Sequence, residues 1–410
     1  MLERSFPNLA PAKRFPDTFG DQLQRFTASL KRQGYADRTV RQKLRVLTNC
    51  GQWLERNSLA VTKLDDQLLA IFLKHRKLPV QNGDPRTLQQ FLDHLRRQDV
   101  VRTQHLPPDR SPLAQILREY EKHLSLERGL LVNTILQYQS FVRKFLLEHF
   151  RGRPFLLKTI KASDISALVL RHAPSMSVWT TQAMTTAFRS FFRFLFQKGE
   201  VRADLAAAVP TVANWRLSTV PRYLAPEDVK RVLKSCDLRT AIGRRNYAIL
   251  LLLARLGLRA GEVVALQLED INWRAGEILI RGKGLLHDRM PLSADVGEAL
   301  ASYLRRDRPA CQTRRVFVRM RAPHRGFAKH SAVSMIVRSS LSRANLHPKL
   351  KGAHLLRHSL ATSMLHAGAT MREIGEVLRH RSPDTTEIYA KVNFDGLRPL
   401  AHPWPTGGAQ

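Results

Sequence analysis

Cysteine, acidic residues and long apolar runs are all scarce in this sequence, and each scarcity removes a class of protein. The three cysteines, Cys50, Cys236 and Cys311, lie far apart, with no C-x-x-C pair and no histidine spacing that suggests zinc. A disulfide framework is therefore not expected, and a reducing compartment is. The longest apolar run, YAILLLLA (247–254), stops at Arg255 and is too short to cross a bilayer. The opening MLERSFPNLAPAKRF has no apolar signal core. The expectation is a cytoplasmic protein with no membrane partner. Acidic residues number 34 against 67 lysines and arginines, a net charge of +33.

That charge is spread along much of the chain. A folded protein tolerates such self-repulsion more easily when its partner is a polyanion, and nucleic acid is the default polyanion. An anionic membrane surface is the weaker candidate, because no isolated basic amphipathic anchor stands out. Hydrophobic residues make up 43% of the 410, enough for real cores, and the length suits two or three domains. Most of the chain reads as amphipathic helix, with strand-like alternation concentrated around 265–292. The predicted class is mainly α, with a small antiparallel sheet in the C-terminal part and helical N-terminal domains.

Two breaks divide the chain: RTQHLPPDRSP (102–112) and VPTVANWRLSTVPRYLAPED (209–228). They predict an N-terminal helical domain (1–106), a second helical domain (112–207), a linker (208–222), a third domain (223–396) and a tail (397–410). The first two domains read as copies. Leu23, Phe26 and Leu30 match Leu117, Tyr120 and Leu124 at an offset of 94, and Thr39 matches Thr134 at 95. Helical spacing also produces such matches by chance, so two unrelated bundles remain the alternative. In the second domain Phe188, Phe191, Phe192 and Leu195 form one apolar face. Arg189 and Arg193, one turn apart on another face, are candidates for phosphate contacts or equally for a solvated charged face.

The third domain carries four unusual clusters. In LGLRAGEVVALQLEDINW (256–273), Gly257 ends an apolar helix, and Arg259 opens the next with Glu262 three residues on. EILIRGKGLLHDRMPL (277–292) reads as a hairpin with Lys283 near its tip and Arg281 and Arg289 on its arms. In KGAHLLRHSLATSMLHAGA (351–369), His354 and Arg357 share one face at a helix start, where the dipole and free N–H groups suit an anion. RHRSPDTTEIYAKV (379–392) places Tyr389 just inside a helix that Ser382 and Pro383 would start, with His380 before it. Taken singly, these are an ion pair, a turn lysine, a weak H-x-x-R and a packed tyrosine. Taken together they supply guanidiniums, an ammonium, imidazoles and a phenol, without an acidic cluster. Divalent-metal catalysis is not indicated, and no cofactor is expected. Nucleophilic attack on a phosphodiester fits: cations stabilise the gathering charge, and a phenol needs a base or cationic field to attack.

In the order R…K…HxxR…H…Y, with GLRAGEVVAL, HLLRHSLATSML and SPDTTEIYAKV around it, the third domain resembles the catalytic domain of the tyrosine recombinases. These are phage-integrase-like DNA breaking and joining enzymes. The second domain resembles their helical core-binding (SAM-like) domain more loosely. The resemblance implies a site-specific recombinase or integrase, often from a mobile element, acting on double-stranded DNA without metal or ATP. Tyr389 would form a 3′-phosphotyrosyl link. Arg259 and Arg357 would hold the non-bridging oxygens, Lys283 would be the general acid, and His354 would be a base or hydrogen-bond partner. His380 would help bind the phosphate, and Glu262 would buttress the site. Arg189, Arg193, Arg281 and Arg289 would be further DNA contacts. The resemblance also implies a homo-oligomer on DNA with a four-protomer synapse, other recombinases as possible partners, and a nucleoid-associated location. A type IB topoisomerase-like relaxer and a catalytically silent DNA-binding protein are the alternatives. Three features depart from the family: Arg379 where many members have glycine, a tail with three prolines and Trp404, and the extra segment 1–106.

Overall fold

A computed structural model describes residues 17–75, 83–102, 109–213, 221–282 and 287–392. The chain divides into two compact units, one of residues 104–218, the other of 1–103 together with 219–410. The fold is mainly helical with one small antiparallel sheet, as the periodicity predicts. Among the described residues no helix is long and apolar enough to cross a membrane. The tail from 397, with Trp404, lies outside the described residues, as does much of the predicted linker.

The N-terminal bundle consists of α1 (Asp17–Arg32), α2 (Asp37–Arg56), a 3-10 turn (Val61–Lys63), α3 (Asp66–His75) and α4 (Asp84–Arg97). Leu23, Phe26 and Leu30 on α1 are buried in its core, where Phe26 meets Phe91 edge-on. In the unit of residues 104–218, α5 (Pro112–Lys122), α6 (Val132–His149), a 3-10 turn (Leu157–Thr159), α7 (Ala162–His172) and α8 (Val178–Gln197) follow in a similar order, with an added π turn (His123–Glu127) after α5 and a 3-10 turn (Ala173–Ser175) after α7. Leu117, Tyr120 and Leu124 are likewise buried there, with the phenylalanine face of α8. Thr39 and Thr134 each stand third in their helix, α2 and α6.

The C-terminal part is built around α10 (Ala241–Arg255), which follows α9 (Pro226–Lys234). From Tyr247 to Ala254 the α10 sequence is apolar all round, as a core helix requires, and Ala248–Ala254 are buried. The Thr240 hydroxyl caps it by accepting from the Gly243 N–H. Beyond it come α11 (Ala260–Ala265), β1 (Ile271–Asn272), β2 (Glu277–Arg281), β3 (His287–Pro291), α12 (Ala294–Arg306), α13 (Ser331–Arg343), α14 (Ala353–His366) and α15 (Met371–Leu378). The strands pair antiparallel in the order β1-β2-β3, with Ile278 opposite Met290 and Arg281 opposite His287. Ile278 and Ile280 point into the core, which fixes the hairpin's register. The N-terminal bundle meets this part where the His324 N–H donates to the Gln33 carbonyl at 2.9 Å. Gly34, with φ +81°, leaves room there for the His324 ring.

Candidate active site

Gly257 starts the site. It follows α10 with φ +58°, a conformation that favours glycine, and an added Cβ would lie 2.7 Å from Leu378. The chain turns there and Arg259 becomes the N-cap residue of α11. Its backbone N–H donates to Glu262 Oε2 at 2.8 Å, and its Nη1 donates to Oε1 at 2.8 Å. The Arg259 side chain is 41% exposed and that of Glu262 only 6%. The guanidinium can therefore meet a ligand, while the carboxylate can only brace it. Burial alone would raise the Glu262 carboxyl. The Arg259 N–H and the charges of Arg379 and Arg259 outweigh that and hold it below the usual range.

Arg357 lies one turn into α14 and is buried. Its Nη1 donates to the Gly257 carbonyl and its Nη2 to that of Leu378, at the C-terminal end of α15. Both acceptors lie where a helix leaves carbonyls unsatisfied. Burial, with the charges of Arg259 and Arg379, pushes the guanidinium down to about 10, so it stays charged at neutral pH. His354, at the exposed start of α14, is held below the ordinary imidazole value by desolvation and by Arg357 and Arg259.

Tyr389 lies in the second of two short 3-10 segments, Pro383–Thr385 and Glu387–Val392. The expected helix start at Ser382–Pro383 exists, but only 3-10 turns follow and the Ser382 side chain makes no cap bond. Tyr389 is 1% exposed and packs with Ala361, Leu365, Ile374 and Leu378. Its hydroxyl and His358 Nδ1 are 2.8 Å apart. Burial pushes the phenol up to about 12, and burial with His354 and Arg357 pushes His358 down to about 4. With that gap, the phenol keeps its proton. His380 Nδ1 bonds the buried Thr386 hydroxyl at 2.8 Å. Desolvation, then Arg357 and Arg259, push it also to about 4.

Arg259, Glu262, His354, Arg357, His380 and Tyr389 are thus brought together, linked by these bonds and by mutual electrostatic influence. Lys283 lies outside the described residues, between β2 and β3. Of the other four predicted arginines, Arg189 and Arg193 belong to the unit of residues 104–218 and Arg281 and Arg289 to the hairpin strands. Arg281 pairs with the buried carboxylate of Asp270 at 2.7 Å, and Arg289 with Glu277 at 3.4 Å. Arg189 Nη2 donates to the carbonyls of Val209 and Pro210, bracing the end of its own unit, and Arg193 is exposed. Among the described residues no group of three His, Cys, Asp or Glu side chains is placed to hold a metal ion.

Sequence reasoning missed His358. The signal was present, because His358 is four residues from His354 and so on the same helical face. Nothing in the pattern told its role apart from that of an ordinary core histidine.

Residues 222–395 match the model of the phage integrase family, and residues 117–199 match that family's N-terminal SAM-like domain. A Sinorhizobium fredii (strain NBRC 101917 / NGR234) protein named as an integrase/recombinase, y4rA, is 42% identical over 389 residues, 94% of each chain. The chain belongs to the tyrosine recombinase family. Members of this family are DNA strand transferases. The tyrosine recombinase XerD of Mycobacterium tuberculosis (strain ATCC 25618 / H37Rv) is 31% identical over 313 residues, 71% of this chain and 98% of that one. Among solved structures, XerH bound to a palindromic difH substrate matches with TM-score 0.56 at 21% identity, over 69% of this chain and 83% of its own. A λ integrase tetramer on a Holliday junction matches at 0.52 and 17%, over 76% and 88%. At these identities the two structures speak for the recombinase fold alone.

Proposed function

We propose that this recombinase cleaves and rejoins duplex DNA at specific sites through Tyr389. The observation that carries the reading is the convergence of two anchored guanidiniums, Arg259 and Arg357, with a phenol held by an imidazole. Tyr389 Oη attacks the scissile phosphorus. A P–O(Tyr) bond forms as the P–O5′ bond breaks, leaving a 3′-phosphotyrosyl ester. Arg259 and Arg357 hold the non-bridging oxygens, and His380 supports the phosphate. Lys283 gives a proton to the departing 5′ oxygen. His354 receives the phenol proton, directly or through water. The ester conserves the energy of the broken bond, so the 5′ hydroxyl of another strand reverses the reaction without ATP or metal.

The tyrosine is buried as it stands, so attack requires the 387–392 segment to shift and release the hydroxyl from His358. The two helical bundles and the catalytic part grip the DNA, with the first bundle acting as a second copy of the core-binding fold. Four protomers form the synapse. The +33 charge makes binding fall steeply with salt through counterion release.

The test takes a duplex selected by the protein from a random-sequence pool and placed on two separate molecules, with EDTA and no ATP. Recombinant product is the expected result. Relaxation of a supercoiled plasmid without joining would instead identify a relaxer. Binding with neither outcome would identify a silent DNA-binding protein.

A further inference from the structure

The turn after α15 carries two local costs that a simpler sequence would avoid. Arg379 has φ +55° and ψ +48°, a left-handed conformation that is uncommon outside glycine. Its N–H bonds the Glu376 carbonyl at 3.0 Å, and the His380 N–H bonds that of Gly375 at 2.9 Å, a Schellman ending where glycine is the usual residue. Its Nε is buried without a hydrogen-bond partner among the described residues. Strain of this kind persists when the surrounding structure holds it in place, and it collects at functional sites.

The side chain explains the choice. It is 7% exposed and folds back over the end of its own helix. Nη2 donates to Glu262 Oε2 at 2.9 Å, the same oxygen that accepts the Arg259 backbone N–H. Nη1 reaches the Val377 carbonyl at 3.2 Å and the sulfur of Met290 on β3. The backbone contributes as well. The Leu378 carbonyl accepts from Arg357, and the Arg379 carbonyl accepts from Arg259 Nη2 at 3.4 Å. One left-handed residue therefore turns two successive carbonyls toward both guanidiniums, while its own cation closes the far side of Glu262.

We propose that Arg379 is a positioning residue for the phosphate-binding pair: it fixes Glu262 through the second carboxylate oxygen, so that Glu262 holds the Arg259 guanidinium in one orientation. The proposal rests on reading Arg259 and Arg357 as phosphate ligands. Its side chain is buried, so its route to the reaction runs chiefly through Glu262 to Arg259.

Glycine fits the left-handed turn, so Arg379→Gly removes the side chain and keeps the backbone. The probe is orthovanadate alone, a tetrahedral phosphate analogue that can expand to five-coordinate when a nucleophile adds to it, titrated calorimetrically into the full chain. Arg379→Gly should weaken vanadate binding and slow formation of the Tyr389 adduct on a nicked duplex, each by about tenfold, while Arg379→Lys restores both to within about threefold. In a Glu262→Gln background the same change should add less than about twofold, because its route is already cut. A uniform field effect would instead add fully in that background, and would overturn the proposal. So would vanadate affinity and adduct rate that stay within about twofold of wild type in Arg379→Gly. Arg379-dependent vanadate binding without an adduct on any duplex would leave the positioning role standing and defeat the cleavage reading. Failure of the wild type to bind vanadate would contradict both.

Discussion

The two halves of the site are built on opposite plans. The cationic half, Arg259 with Glu262, Arg357 and Arg379, is tied down by helix-end carbonyls and one buried carboxylate. The proposed nucleophile half, 383–392, is two 3-10 turns whose tyrosine is held by packing, by its N–H to the Thr386 carbonyl and by its hydroxyl to His358. On the proposed reaction, the first half is preorganised where charge would gather, which is where fixed dipoles and charges act most strongly. The second half stores the phenol in protonated form. The difference separates stabilising the transition state from releasing the attacking group.

The largest test of that contrast removes a cation. Arg259→Ala should lower the cleavage rate by roughly 10²–10³ at saturating DNA, and lower folding stability by about 1–3 kcal/mol, because the buried Glu262 carboxylate loses one of its partners. Single-turnover cleavage beside a melting curve checks both. Gly257→Ala strikes the frame of the same half. A left-handed alanine in contact with Leu378 should cost about 1–3 kcal/mol, read by urea unfolding.

On the nucleophile half, His358→Phe leaves a buried hydroxyl without its partner, worth about 1–3 kcal/mol of stability. Cleavage should change by less than about tenfold, because in the proposed mechanism His354 takes the phenol proton and His358 only holds the phenol beforehand. A loss near that of Arg259→Ala would make His358 the base and erase the contrast. The smallest effect is the dependence of stability on pH. His358 and His380 both titrate near 4, below the ordinary 6.5. Between those values the unfolded chain binds protons that the folded chain refuses, so stability is full above about pH 6.5 and falls as pH drops toward about 4. Urea unfolding at pH 7 and pH 5 should show the fall, and His380→Asn should flatten part of it.

Much of this was legible in the sequence, for physical reasons. Periodicity alone placed the buried face of α8, because helical burial repeats with the turn, and the residues matched between the first two domains turn out to be buried as well. The glycine at 257 and the Arg259–Glu262 spacing marked a helix boundary that the structure contains. What stayed hidden depends on tertiary contact. Whether an arginine faces solvent or a carbonyl has no local signature, so the sequence showed Arg189 and Arg281 only as candidate DNA contacts and not that they also brace their own fold. The bond from His358 to Tyr389 joins residues 31 apart. Arg379 was visible as a departure from glycine, but its target, Glu262, lies 117 residues away.

The most direct measurement is covalent capture. Wild type and Tyr389→Phe are incubated with a nicked form of the selected duplex in EDTA, then denatured and digested. The account predicts a protein–DNA adduct with wild type alone, mapping by peptide sequencing to Tyr389. An adduct that persists in the Phe variant, or that maps to another residue, would contradict it, and Tyr389 would then be a core residue and nothing more.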